Sequence, residues 1–108
     1  MTSSQDSKLD QITGELIREY RPSRLFFYGS RANGNARPDS DYDFVMVVPT
    51  FSENRYAAME RIAAHFWKTL DVEVQVWVYS QEDFDARKDD FSSIPETAMN
   101  TGKEIPIG

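Results

Sequence analysis

Two neighbouring stretches decide how this chain is read: Tyr28-Gly29-Ser30-Arg31-Ala32-Asn33-Gly34 and, just downstream, Asp39-Ser40-Asp41-Tyr42-Asp43-Phe44-Val45-Met46-Val47-Val48. The first follows the aromatic run Leu25-Phe26-Phe27, which reads as a buried strand closed by Gly29. A strand that ends in Gly-Ser and turns toward a helix exposes backbone N–H groups beside a hydroxyl, an arrangement that binds phosphate oxygens. Glycine at that point lets a ligand approach, because no Cβ stands in the way. In the second stretch, Asp41 and Asp43 are two residues apart on a strand. They therefore point to one face, ~6.6 Å apart along the chain. Two carboxylates so placed repel each other unless a cation lies between them, and all-oxygen ligands of this kind select Mg²⁺ or Mn²⁺. The alternative, a solvated acidic turn, sits poorly with Phe44-Val45-Met46-Val47-Val48, since the acids open a strand that is otherwise entirely apolar.

The surrounding pattern supplies the fold. Leu9, Ile12, Leu16, Ile17 and Tyr20 form an apolar stripe at helical spacing, which predicts a helix over 6–20 stopped by Pro22. A short helix is expected after Gly29, and a strand over 43–48 closed by Pro49. Ser52 is the expected cap of a long helix over 53–70, carried by Tyr56, Met59, Ile62, Ala63, Phe66, Trp67 and Leu70. Residues 72–79 alternate strictly, Val72, Val74, Val76 and Val78 on one side and Glu73, Gln75, Trp77 and Tyr79 on the other. Ser80 and Ser93 each precede an acid by three residues, the N-terminal capping pattern, and Gly102 is the expected end of the last helix. The order predicts a small α/β (α+β) domain over 1–108, with a three- or four-stranded mixed sheet flanked by helices.

Composition bounds the rest. The 108 residues are 40% hydrophobic and 28% charged, with no cysteine, which excludes a disulfide scaffold and a thiolate zinc site. No apolar run approaches the ~20 residues of a membrane helix, and the N-terminus lacks the pattern of a signal peptide, so a cytoplasmic protein is the expectation. Twelve basic against 18 acidic residues give a net charge of −6. Such a chain repels a phosphate backbone overall and is not expected to bind nucleic acid generically. The charge is uneven, however: Arg18, Arg21, Arg24, Arg31 and Arg37 lie immediately upstream of Asp39, Asp41 and Asp43, as suits an anion bridged by metal.

Gly29-Ser30, then Arg31-Ala32-x-Gly34, then Asp39-Ser40-Asp41-x-Asp43-Phe44 resembles the signature of the DNA polymerase β-like nucleotidyltransferase superfamily. In length and layout the chain is most similar to the minimal nucleotidyltransferases, single-domain proteins often paired with a HEPN-domain partner in toxin–antitoxin modules. The likeness extends over Val72-Glu73-Val74-Gln75-Val76 and Ser80-Gln81-Glu82-Asp83-Phe84, which resemble the family's third core strand and following helix, and Ala98 to Lys103 resembles its closing helix. The resemblance implies that Gly29 and Ser30 hold the triphosphate of a nucleotide, with ATP the expected one, and that Arg31 or Arg37 lies close to its charge. It implies that Asp41 and Asp43 ligate Mg²⁺ (or Mn²⁺) and serve as catalytic carboxylates. The reaction it implies is transfer of a nucleoside monophosphate to a protein or small-molecule hydroxyl.

One position departs from that pattern. The family's third carboxylate belongs on the third strand, and alignment through Ser80-x-Glu82-Asp83 puts Gln75 there. A neutral amide cannot take the acceptor's proton. Two readings stand: Gln75 is a loss that weakens or abolishes transfer, or Glu73, on the same face one pleat earlier, substitutes for it. The first raises an alternative function, a non-catalytic antitoxin-like subunit that binds and masks a HEPN-domain partner. Phe66, Trp67, Trp77, Tyr79 and Phe84 would then supply an apolar contact patch. A domain this small cannot enclose nucleotide and acceptor together, so a homodimer or hetero-complex is expected. His65, the sole histidine, reads as a surface or packing residue.

Overall fold

The structure, a computed structural model, describes residues 7–29 and 41–107. Ser30, Arg31, Arg37, Asp39 and the expected short helix after Gly29 lie outside the described residues. Helix α1 (Ser7–Tyr20) leads into strand β1 (Arg24–Tyr28), and β2 (Tyr42–Val48) is followed by the long helix α2 (Arg55–Leu70). Then come β3 (Val74–Ser80), the short helices α3 (Gln81–Arg87) and α4 (Ile94–Thr101), and a two-residue strand β4 (Lys103–Glu104). The sheet order is β3-β2-β1-β4. Strand β1 runs antiparallel to β2 and to β4, whereas β2 and β3 are parallel and joined by the α2 crossover. No helix among the described residues is long and apolar enough to cross a membrane.

Strand alternation builds two unequal faces. Leu25, Phe27, Phe44, Met46, Val74, Val76 and Val78 point toward α1 and α2 and pack on Ile12, Leu16, Ile62 and Phe66. This is the main core, and completely buried side chains such as Phe44 and Phe66 contribute about 1.5–3 kcal/mol each through apolar burial. The opposite face carries Phe26, Val45, Val47 and Tyr79, covered by Phe84 of α3 and Ala98 of α4. Phe26 and Phe84 stack at 5.6 Å, with the Arg24 guanidinium over both rings and paired to Glu104. Tyr28 and Trp77 pack against the margin of this cluster. Asp43 and Gln75, level with each other on β2 and β3, mark the candidate site.

Local chemistry moves several expected boundaries. Asn54, not Ser52, caps α2, because its Oδ1 accepts hydrogen bonds from the N–H groups of Tyr56 and Ala57. Strand β3 starts at Val74 rather than Val72, since Asp71 closes α2 in a left-handed conformation and the chain needs two residues to straighten. Ser80 and Ser93 cap α3 and α4 as expected. Gly102 ends α4 in an extended conformation and so feeds directly into β4, which makes the fourth strand.

Candidate active site at the mouth of β2

Parallel pairing of β2 with β3 sets Asp43 level with Gln75 and Tyr42 level with Val74. On the other side, antiparallel pairing sets Tyr28 level with Asp43. Residues level with each other in a sheet share a face, so Tyr28, Asp43 and Gln75 form one row across three strands. Asp41 and Glu73 immediately precede β2 and β3, and the Tyr42 N–H donates to the Glu73 carbonyl (2.9 Å) where the β2–β3 ladder begins. Asp41, Glu73 and Gln75 line one groove. Gln75 is the residue level with Asp43.

The electrostatics are those of two crowded acids. Burial, and then the neighbouring Asp41 charge, pushes the Asp43 carboxyl up to about 6. Tyr28, half-buried on the other flank, is pushed up to about 12 by burial and by the Asp43 charge, and it hydrogen-bonds Trp77. Among the described residues no group of three or more His, Asp or Glu side chains converges as a ready metal cage. An aspartate just before β2 and another within it do fit a cation that takes its remaining ligands from phosphate and water, the usual habit of Mg²⁺.

Gly29 adds a steric observation. Its φ of +90° lies in the left-handed region, and a Cβ built there would come 2.6 Å from Asp43 Oδ2. Glycine at this position thus serves two ends at once: it turns the chain out of β1, and it leaves the space that the Asp43 carboxylate occupies.

Other expectations change with the coordinates in place. Arg24 is tied to Glu104 at the opposite end of β1 from Gly29, and Arg18 and Arg21 precede it at the end of α1. These three arginines therefore do not face the carboxylates. The supposed apolar contact patch also dissolves: Phe66, Tyr79 and Phe84 are core residues, and of that set only Trp67 is exposed, with Trp77 half-buried. His65 is on the surface, paired with Glu15. Tyr28 was not singled out as a site residue, although its place next to Gly29 on an aromatic strand was a usable signal.

The family model for the nucleotidyltransferase domain matches residues 9–98, most of the chain. The chain belongs to the nucleotidyltransferase domain family. A solved structure described as a toxin–antitoxin with AMP-PNP is similar to this nucleotidyltransferase domain, with a TM-score of 0.63 and 17% sequence identity. The similarity covers 88% of this chain and 70% of that one. At this identity the likeness speaks for the fold alone. No curated protein matches this nucleotidyltransferase domain.

Proposed function

We propose that this nucleotidyltransferase domain binds a nucleoside triphosphate, with ATP first in line, together with Mg²⁺, and transfers the nucleoside monophosphate to a hydroxyl of a protein or small molecule. The observation that carries the reading is the pair Asp41 and Asp43 at the mouth of β2, with Gly29 packed against the Asp43 carboxylate. The AMP-PNP of the similar structure lends support to the choice of nucleotide. Asp41 and Asp43 would hold the metal, which when bound polarises the phosphoryl oxygens and lowers the charge repulsion between phosphate and nucleophile. Gly29 and Ser30 would seat the phosphates on backbone N–H groups, and Arg31 would add a charge-assisted donor. In the transfer an oxygen–phosphorus bond forms between the acceptor hydroxyl and the α-phosphorus. The bond from that phosphorus to the β-bridging oxygen breaks, and pyrophosphate leaves with the electron pair. The hydroxyl proton needs an acceptor, and Gln75 beside Asp43 is not one.

That last point favours a second reading, an antitoxin-like subunit that binds nucleotide and masks a HEPN-domain partner without efficient turnover. The toxin–antitoxin description of the similar structure supports a partnered role. Incubation with labelled ATP, Mg²⁺ and candidate acceptors separates the two. Labelling by the wild type that is abolished in Asp43→Asn supports the enzyme, and equal labelling by both sinks it. A large gain in Gln75→Asp identifies a weakened enzyme, whereas nucleotide binding with no transfer by any variant favours the masking subunit.

A further inference from the structure

Among the described residues β3 is an outer strand of the sheet, and its outer side is long. The hydrogen bond from Tyr42 N–H to the Glu73 carbonyl fixes which of its backbone groups face inward. In a parallel ladder that places Glu73, Gln75, Trp77 and Tyr79 inward, so Val74, Val76 and Val78 direct their N–H and C=O groups to the outer edge, as does Val72 by the same alternation. Arg55 blunts one end of this edge, donating from Nε to the Val78 carbonyl at 2.7 Å while its guanidinium lies over Tyr79. The other end runs into a groove of about 410 Å³ between α2 and β3, whose lining includes Ala63, Ala64, Trp67 and Val74, and Trp67 is 56% exposed. Strand edges in monomeric proteins are usually protected by lysine, proline or a bulge; residues 74–77 have none of these.

We propose that β3 pairs antiparallel with β3 of a second copy of this chain, about a two-fold axis at Val74. The register follows from the edge itself. Centring on Val74 pairs Val74 with Val74 and Val72 with Val76, using the groups that Arg55 does not reach. Centring on Val76 would set Val74 against the carbonyl that Arg55 already holds. The charges agree with the same choice, because β3's approach carries one acid at this edge, Glu73, and the register sets it opposite the neutral Gln75 of the other copy rather than opposite its own counterpart. The two-fold also brings the α2 helices alongside each other through Ala63 and Ala64, small enough to allow close approach.

The consequence reaches the candidate site. Residues directly opposite in such a pair share a face, with Cα atoms about 4.5 Å apart where they do not exchange backbone hydrogen bonds. Glu73 of the second copy therefore lies against Gln75, on the face of Asp43. Each copy supplies the other with a carboxylate next to the position where its own chain has an amide, and that carboxylate takes the acceptor hydroxyl's proton. This last step rests on the transfer reaction proposed above; the pairing does not.

The cysteine-free chain allows a direct test. Glu73→Cys and Gln75→Cys chains are mixed and oxidised, since a pair at this spacing meets the Cα limits of about 4.4–6.8 Å for a disulfide. The expected result is a cross-linked dimer in the mixture and little from Glu73→Cys alone, whose sulfurs would be separated by a diagonal of about 8 Å between Cα atoms. Cross-linking of Gln75→Cys alone would show a different register and overturn the shared carboxylate. No cross-link, with light scattering giving the mass of one chain at all concentrations, would overturn the pairing. As a second variant, Ala64→Arg on exposed α2 should halve the mass of the wild-type particle while leaving the circular dichroism unchanged. Mixing Glu73→Gln with Asp43→Asn should restore labelling to about a quarter of wild type, because half the dimers are mixed and each has one complete site. A mixture no better than either variant overturns the shared carboxylate. Wild type that never labels refutes the transfer reading, and the cross-link still judges the pairing.

Discussion

Replacing Gly29 with alanine tests the tightest steric statement in the site. Two costs can be worked from the structure. The backbone at φ +90° suits glycine, and an L-residue held in a left-handed conformation loses about 1–2 kcal/mol. The new Cβ would fall 2.6 Å from Asp43 Oδ2 and 3.4 Å from its Cβ and Cγ, so the carboxylate must swing off its rotamer at a further cost of about 0.5–1.5 kcal/mol. The sum is a loss of about 1.5–3.5 kcal/mol, which in a domain of this size lowers Tm by roughly 6–14 °C. Gly14→Ala is the matched control. Gly14 lies inside α1, and a Cβ there meets nothing within 4 Å, so the same substitution should stabilise by about 0.5–1 kcal/mol. Thermal melts of both variants followed by circular dichroism, with Mn²⁺ binding followed by electron paramagnetic resonance, provide the assay. Opposite signs in Tm, with weakened Mn²⁺ binding only in Gly29→Ala, are expected. A Gly29→Ala protein that melts within a degree or two of wild type and binds Mn²⁺ normally would refute the steric reasoning.

Two further outcomes follow from the same geometry. The Asp43 carboxyl is held above its ordinary range, at about 6. The folded chain then keeps a proton that the unfolded chain releases near 3.8, so stability falls as pH rises from about 4 to 6 and stays low above that. Asp43→Asn should therefore stabilise the metal-free protein at pH 8, on the order of 1 kcal/mol once solvent screening of this half-exposed group is allowed for, and change little at pH 3.5; an equal effect in urea unfolding at both pH values would contradict it. Arg55 donates to the Val78 carbonyl, lies 4.1 Å from the Tyr79 ring centroid and pairs with Asp83 at 3.4 Å. Arg55→Ala should cost about 1–2 kcal/mol in urea unfolding, with Arg55→Lys recovering less than half of it because lysine lacks the planar fork.

Much of this arrangement was legible in residue order, for reasons tied to particular positions. The strict alternation of Val72 to Tyr79 could form only a strand with one apolar side, and Asp41 and Asp43 could share a face only if Phe44 to Val48 continued as a strand. Parallel pairing of β2 and β3 then needed nothing beyond the α2 crossover between them. What escaped depended on tertiary contact. The Asn54 cap was hidden because Ser52, two residues earlier, offers the same chemistry, and only the folded chain shows whose oxygen reaches Tyr56 and Ala57. Strand β4 has only Lys103 and Glu104, too short for any pattern, and forms because β1 leaves an edge for it. Arg18, Arg21 and Arg24 misled because sequence proximity to Gly29 ignores the length of β1, which carries Arg24 to the far end of the strand. The contact patch misled because periodicity tells which aromatics share a face, not whether a helix such as α3 lies over them.

On the proposed reading, Asp41 and Asp43 make a divalent-cation and nucleotide site at the mouth of β2. Equilibrium binding of AMP-PNP to wild type and to the Asp41→Asn/Asp43→Asn double variant, each with and without Mg²⁺, tests it most directly. Wild type should bind the nucleotide far better with Mg²⁺ than without. The folded double variant should lose that gain and bind at least about 100-fold more weakly, the scale of roughly 3 kcal/mol expected when charged ligands are removed. Equal affinity in the two proteins, or binding indifferent to Mg²⁺, would contradict the claim.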